Sequence, residues 1–285
     1  MQNFEFHNPV KVVFGKGSIA ELAELVPRGV PVLMTYGGGS IKRNGVYDEV
    51  KAALRGRAPR QFGGIEPNPR YQTLMRAVAL ARKHRGQFLL AVGGGSVLDG
   101  TKFIAAAVPF KGRDPWDILA ADAAVAAAVP LGCVLTLPAT GSEMNGGAVI
   151  SRESSREKLA FTSPLVYPRF SILDPATTFS LPKRQVTNGI VDAFVHVMEQ
   201  YATYDVDAPL QDRQAEALLV TLMEEGPRTL KHPRDYEARA NLVWCATQDL
   251  TELIRRGEAQ SGGLRRPIRP WRGWGAHDQR VVGGA

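Results

Sequence analysis

Asp192 and His196 lie four residues apart, which places a carboxylate and an imidazole on one face of any helix that carries them. Such a pair can hold one side of a divalent metal. With Asn188 and Gln200 they form a polar stripe on a segment whose other positions are largely apolar. The same spacing therefore also fits the solvent face of an amphipathic helix. Two glycine triplets, Gly37-Gly38-Gly39 and Gly93-Gly94-Gly95, each follow an apolar run and each precede a serine, Ser40 and Ser96. Glycine lets the backbone approach a phosphate closely, and the helix start behind it adds the positive end of a dipole. Neither triplet is the GxGxxG fingerprint, and each alone fits a tight strand–helix turn. Two on neighbouring units point to a dinucleotide. Ser96 and Asp99 have the spacing of a helix N-cap and its acidic partner, which leaves Asp99 free to reach a ligand as well.

Two further strings complete the candidate set. Ser40-Ile41-Lys42-Arg43 offers a hydroxyl and two cations where many dinucleotide sites carry an acid against the ribose. That suits the 2′-phosphate of NADP(H) better than the bare hydroxyl of NAD(H), although solvated cations would look the same. Thr136-Leu137-Pro138-Ala139-Thr140-Gly141-Ser142-Glu143 places three small hydroxyls at the end of an apolar run, as a ligand loop or an ordinary one.

The elements that must position these residues follow from periodicity. The runs at 11–15, 30–37, 87–94, 131–140 and 169–175 are apolar and β-branched, as buried strands are. Segments 19–26, 48–57, 71–84 and 97–108 have helical spacing. Their alternation predicts a Rossmann-like α/β fold, with a parallel sheet covered on both faces and ligands at its carboxyl edge. Segments 147–153 and 158–163 read as a hairpin. After Leu181-Pro182 the texture becomes helical, over 183–202, 208–229 and 233–254. The expected organisation is a dinucleotide-binding domain over 1–181, the start of an all-helical domain over 182–254, and a tail over 255–285 without period.

The 285 residues are 44% hydrophobic and 22% charged, the balance of a globular chain. Of the net charge of +7, the tail carries +5, with seven arginines against Glu258 and Asp278, and residues 1–254 only +2. No basic face speaks for nucleic acid. No run is long and apolar enough for a bilayer, and Cys133 and Cys245 lack CxxC partners. The expected location is the cytoplasm, with no membrane or nucleic-acid partner. His7, His84 and His232 read as surface residues.

Four strings in order, GGGSVLD (93–99), TLPATGSE (136–143), Leu173-Asp174-Pro175 with Leu181-Pro182, and Asp192-Ala193-Phe194-Val195-His196, resemble the iron-containing (group III) alcohol dehydrogenases. Within that family the likeness is to the NADPH-dependent aldehyde reductase and butanol dehydrogenase branch, over residues 1 to about 254. The resemblance implies hydride transfer between NADP(H) and a small alcohol or aldehyde, with a metal polarising the carbonyl oxygen. It implies that Gly37, Gly38, Gly39 and Ser40 border the adenosine 2′-phosphate and that Gly94, Gly95 and Ser96 hold the pyrophosphate. Asp99, Thr136, Thr140, Asn145 and Lys158 would line the cofactor and substrate cleft, Asp99 and Asn145 in catalytic positions. Asp192 and His196 would be two of four ligands to one iron or zinc. The intact form is expected to be a homodimer.

The family's two further histidine ligands have no counterpart after Arg255, where His277 stands in no such context. The expectation is thus a chain lacking the family's C-terminal catalytic portion, with a tail that is a basic arm, a solvated segment or out-of-frame sequence. Apolar side chains on the three helices, among them Phe194, Val195, Leu218, Leu219, Leu242 and Trp244, are then expected to lie uncovered, leaving a poorly soluble protein low in metal. Two other readings stand beside the reductase: a non-catalytic NADP(H)-binding protein, and a metal-dependent lyase of dehydroquinate synthase type on the same architecture.

Overall fold

The computed structural model describes residues 7–248, apart from residue 86 and residues 203–206. Strand β1 (Lys11–Phe14) leads through a 3-10 turn, Ser18–Glu21, into the single turn α1 (Leu22–Leu25). Then come β2 (Val32–Tyr36), α2 (Ser40–Arg43), α3 (Val46–Ala53), β3 (Arg60–Phe62), α4 (Tyr71–Lys83), β4 (Phe88–Gly94), α5 (Gly95–Ala107), α6 (Asp117–Ala120) and β5 (Leu131–Leu137). The hairpin β6 (Gly147–Arg152) and β7 (Glu157–Thr162) precedes β8 (Phe170–Leu173). Helices α7 (Lys183–Tyr201), α8 (Pro209–Lys231) and α9 (Tyr236–Gln248) close the described chain.

Six strands form one sheet in the order β1-β8-β5-β4-β2-β3, every pair parallel. Parallel strands need crossovers, and the crossovers bury both faces. One face packs Leu74, Ala77, Leu98, Phe103 and Ile104 of α4 and α5, and the other Ile19, Leu22, Val46 and Val50. That two-sided burial is why the inner strands β2, β4, β5 and β8 read as continuous apolar runs. The order makes β2, β4 and β5 neighbours, so the segments after them, 37–40, 93–96 and 138–145, lie side by side at the carboxyl edge. The hairpin runs antiparallel, in register from Gly147 opposite Thr162 to Arg152 opposite Glu157.

Some expectations shift. The helix read at 19–26 is a 3-10 turn followed by one α turn. The strand read to residue 140 ends at Leu137, because Pro138 has no N–H to give a ladder. The helix read from 233 begins at Tyr236, where Asp235 Oδ1 accepts the Ala238 N–H at 3.2 Å. Its residues 249–254, like the tail and His277, lie outside the described residues. The apolar side chains of α7–α9 also fare differently. Leu219 and Leu242 are buried between the helices, Phe194 and Leu218 partly so, because the three helices shield one another. Trp244 stays 44% exposed, edge-on to Phe14 with ring centroids 5.8 Å apart. Among the described residues, no helix is long and apolar enough to cross a membrane.

Candidate functional site

The first glycine triplet turns the chain from β2 into α2. Gly39 does so with φ +88°, in the left-handed region that glycine occupies without penalty. The turn is tied down from below: Gly64 N–H donates to Gly37 O at 2.9 Å and Ile65 N–H to Tyr36 O at 3.2 Å. A Cβ on Gly38 would meet nothing within 4 Å, so this backbone lies bare at the sheet edge. Ser40 is exposed at the start of α2. The Lys42 ammonium lies 5.0 Å from the Tyr36 ring centroid and 5.3 Å from that of Tyr47. A hydrogen bond with the Tyr36 hydroxyl holds its pKa above the usual lysine value. Lys42 is thus held by aromatic rings two residues beyond Ser40.

The second triplet packs more tightly. β4 runs directly into α5, with Gly95 as the first helical residue. A Cβ on Gly94 would come within 3.0 Å of Leu137 Cβ, and one on Gly95 would collide with the Thr140 side chain. These glycines let α5 seat against the segment after β5. The N-cap expected of Ser96 is corrected: the helix starts two residues earlier, with Gly94 at the N-cap position, and has no side-chain cap at all. Ser96 Oγ instead accepts the Asn68 N–H at 3.2 Å, fastening the segment before α4. The first N–H groups of α5 therefore face the carboxyl edge uncapped, at the positive end of a 13-residue helix.

Asp99 accepts from the Ser142 hydroxyl through Oδ1 at 2.6 Å and from the Val149 N–H through Oδ2 at 3.0 Å. Burial raises its pKa, and the Lys102 ammonium opposes the rise. Lys102, a residue with no assigned role in the sequence reading, is fully buried and donates to Ser142 Oγ, Asn145 Oδ1 and Gly147 O. The available signal was a lysine three residues after Asp99 and directly before the apolar run Phe103–Ala107. Asn145 also donates to Gly141 O at 3.1 Å, and Thr140 Oγ1 accepts the Ser142 N–H at 3.4 Å. Thr136 is 8% exposed at the end of β5. Lys158 on β7 donates to Asn68 Oδ1 at 2.9 Å, and its charge lowers the pKa of both Asp99 and Asp192. The structure therefore brings the second triplet, the segment after β5 and Lys158 close together, with α7 beside them.

On α7, His196 Nε2 and Asp192 Oδ1 stand 3.6 Å apart, within ion-pair reach and beyond a hydrogen bond. Partial desolvation by the groups around it raises the Asp192 pKa, against the pull of His196 and Lys158. The stripe splits: Asn188 and Asp192 are exposed, while His196 and Gln200 are half-buried. Catalytic zinc sites use three protein ligands. Among the described residues no group of three or more His, Cys, Asp or Glu could hold a metal ion. The described residues alone thus do not fit a catalytic metal.

Comparison with known proteins covers both the sheet and the helices. Residues 9–175 match the iron-containing alcohol dehydrogenase model, and residues 186–250 match the C-terminal model of the same family. The chain is 57% identical over 262 residues to the NADPH-dependent aldehyde reductase YqhD of Escherichia coli, covering 91% of this chain and 68% of that protein. It is 46% identical over 260 residues to a probable NADH-dependent butanol dehydrogenase 1 of Bacillus subtilis, covering 90% of this chain and 67% of that one. The crystal structure of E. coli YqhD superposes with a TM-score of 0.86, over 88% of this chain and 65% of that one. The NADH-dependent butanol dehydrogenase A of Thermotoga maritima, 42% identical, superposes with a TM-score of 0.85 over 89% of this chain and 64% of that one. The chain thus spans about two-thirds of the length of these relatives.

Proposed function

The chain belongs to the iron-containing alcohol dehydrogenase family, and from that premise we propose that it binds NADP(H) across the carboxyl edge of the sheet for hydride transfer to or from a small alcohol or aldehyde. The observation that carries the proposal is the alignment of three segments. The bare backbone at Gly38, the uncapped start of α5 behind Gly94 and Gly95, and the Thr136–Asn145 segment follow three adjacent strands. A dinucleotide laid across them would place its 2′-phosphate by Gly37, Gly38, Gly39 and Ser40. Its pyrophosphate would lie on the N–H groups of Gly95, Ser96 and the next residues, where the helix dipole favours an anion.

Bound nicotinamide supplies or accepts the hydride. The share of this chain is to orient it. Thr136, Thr140 and Asn145 present hydroxyl and amide groups at the nicotinamide end of that path. Asp99 is half-buried there, with both oxygens engaged, and the Lys158 ammonium adds positive charge at the rim. NADP(H) is preferred over NAD(H) because no carboxylate stands at Ser40 to repel a 2′-phosphate. The NADPH dependence of the E. coli relative supports this preference, and the NADH dependence of the butanol dehydrogenases weighs against it.

Among the described residues, Asp192 and His196 are the two donors on offer to iron or zinc, and affinity of a catalytic grade needs more. That shortfall favours one alternative, a chain that binds NADP(H) without turning over substrate. Fluorescence titration with NADPH, followed by metal analysis and aldehyde-dependent NADPH oxidation, separates the readings. Tight binding with turnover supports the reductase, binding without turnover the alternative, and absence of binding defeats both. The cytoplasm as location and a homodimer as the intact assembly complete the proposal.

A further inference from the structure

Lys102 is 0% exposed in a helix whose neighbouring positions, Thr101, Phe103, Ile104, Ala105 and Ala106, are buried as well. Its Nζ donates to Ser142 Oγ at 2.9 Å, Asn145 Oδ1 at 2.9 Å and Gly147 O at 2.8 Å. An ammonium has three N–H groups, and here three acceptors meet them. Each acceptor is itself committed. The Ser142 hydroxyl gives its own proton to Asp99, so only its lone pairs face Lys102. Asn145 Oδ1 also accepts the Gly147 N–H at 2.9 Å, and the Asn145 amide donates to Gly141 O. Within 141–147 the backbone contributes only one bond of its own, Met144 N–H to Gly141 O at 2.9 Å. The conformation of this turn is therefore set by side chains that converge on one ammonium.

We propose that Lys102 is a positioning residue for the cofactor cleft, pinning the 141–147 turn so that Asp99, Thr140 and Asn145 keep their orientation toward bound NADP(H). The inference rests on the NADP(H)-binding reading above. Lys102 touches neither cofactor nor substrate and acts through Ser142 and Asn145. The titratable groups facing it are Asp99 on its own helix, Glu143 on the turn and Cys133 on β5. Burial brings the Lys102 pKa down to about 8, opposed first by the Asp99 carboxylate. A neutral amine keeps two N–H groups for three acceptors, so losing the proton releases one corner of the turn.

The test is NADPH affinity of the purified chain from neutral pH to about 9.5, a range that brackets the shifted Lys102 value of about 8 and stays below the unperturbed lysine range. Hydrogen exchange at the Gly147 and Val149 amides is followed in parallel. Wild-type affinity should weaken several-fold as pH rises through about 8. Lys102→Met should bind roughly tenfold or more weakly at neutral pH, the worth of a hydrogen bond to a charged group. It should lose the pH step and exchange both amides faster. A purely structural lysine gives a different result: lower thermal stability in Lys102→Met, with wild-type affinity and an unchanged pH profile in the folded protein. That result overturns the inference. If Lys102→Met does not fold, the wild-type series and Ser142→Ala decide. A flat wild-type profile, or Ser142→Ala binding as the wild type does, overturns the inference. A wild type that binds no NADPH at neutral pH overturns the reading it rests on as well.

Discussion

Replacing Gly38 by alanine separates a ligand cradle from a simple turn. A Cβ built on Gly38 meets nothing within 4 Å, and its φ lies outside the left-handed region, so the folded chain accepts the methyl without strain. Fewer unfolded conformations then make Gly38→Ala neutral or more stable by about 0.4–1 kcal/mol. The ligand fares otherwise. If the adenosine phosphate rests on this backbone, an inserted methyl overpacks the contact at a cost of about 1–3 kcal/mol, which weakens binding about 5- to 150-fold. Gly39→Ala is the contrasting control: φ is +88° there, and a left-handed alanine costs roughly 1–2 kcal/mol of stability whether or not a ligand binds. The assay is NADPH fluorescence titration beside thermal unfolding on the same preparations. Gly38→Ala with unchanged Tm and unchanged NADPH affinity would refute the placement of the cofactor across the first triplet.

Ser40→Asp should reverse cofactor preference toward NADH by setting a carboxylate against the 2′-phosphate, read from paired NADPH and NADH titrations; a variant that still prefers NADPH removes Ser40 from the site. Glu143 is fully buried, and burial raises its pKa, so the favourable effect of its protonated form is complete below the unfolded carboxylate pKa and is lost as pH rises toward neutrality. Glu143→Gln keeps an acceptor for the Thr247 hydroxyl, and its Tm advantage over the wild type should grow from acid to neutral pH. A difference that shrinks over that range would reverse the sign of the argument. Cys133 and Cys245 are both buried, and burial pushes the Cys133 thiol up to about 12, so neither should react with a thiol reagent at mild alkaline pH until the protein unfolds.

How much of this was legible in the sequence depends on which physical term sets each feature. The four inner strands, β2, β4, β5 and β8, were visible because two-sided burial makes a parallel strand continuously apolar, as in FLLAV before the second triplet, and β1, an edge strand with no buried residue, was visible from its β-branched run alone. β3 was not, because its three residues, Arg60, Gln61 and Phe62, sit on the outer edge with no buried side chain to declare it. The hairpin was legible from period-two alternation in GAVISR, where Ala148 and Ile150 are buried. Ser96 misled, since a serine followed three residues later by an acid has the spacing of a capping box, whereas tertiary contacts drew its hydroxyl to Asn68. Asp192 and His196 could be paired from spacing alone, yet how exposed each is depends on neighbours that spacing does not report. Lys102 was hidden because a helical lysine ordinarily reaches solvent, and only the fold reveals three acceptors from 142–147 closing over it.

The 138–147 segment joins the two halves of the molecule, and this links cofactor geometry to the position of α7. On one side Lys102 holds the turn to the sheet domain. On the other, the Thr247 hydroxyl of α9 donates to Glu143 at 2.7 Å, a buried bond to the same turn. Gly189 brings α7 so close that a Cβ would stand 2.8 Å from Pro138 O, directly ahead of Thr140. Asp192 and His196 begin one turn after Gly189 on the same rigid helix. Because packed interiors yield in discrete steps and not continuously, a displacement of the Pro138–Asn145 segment is passed to α7 through the Gly189 contact. The small residues here, Gly189 against Pro138 and Gly95 against Thr140, set that distance from either side. The groups expected to hold the cofactor and those expected to reach the metal are therefore positioned by one short segment, which explains why it carries proline, glycine and small hydroxyls instead of bulk.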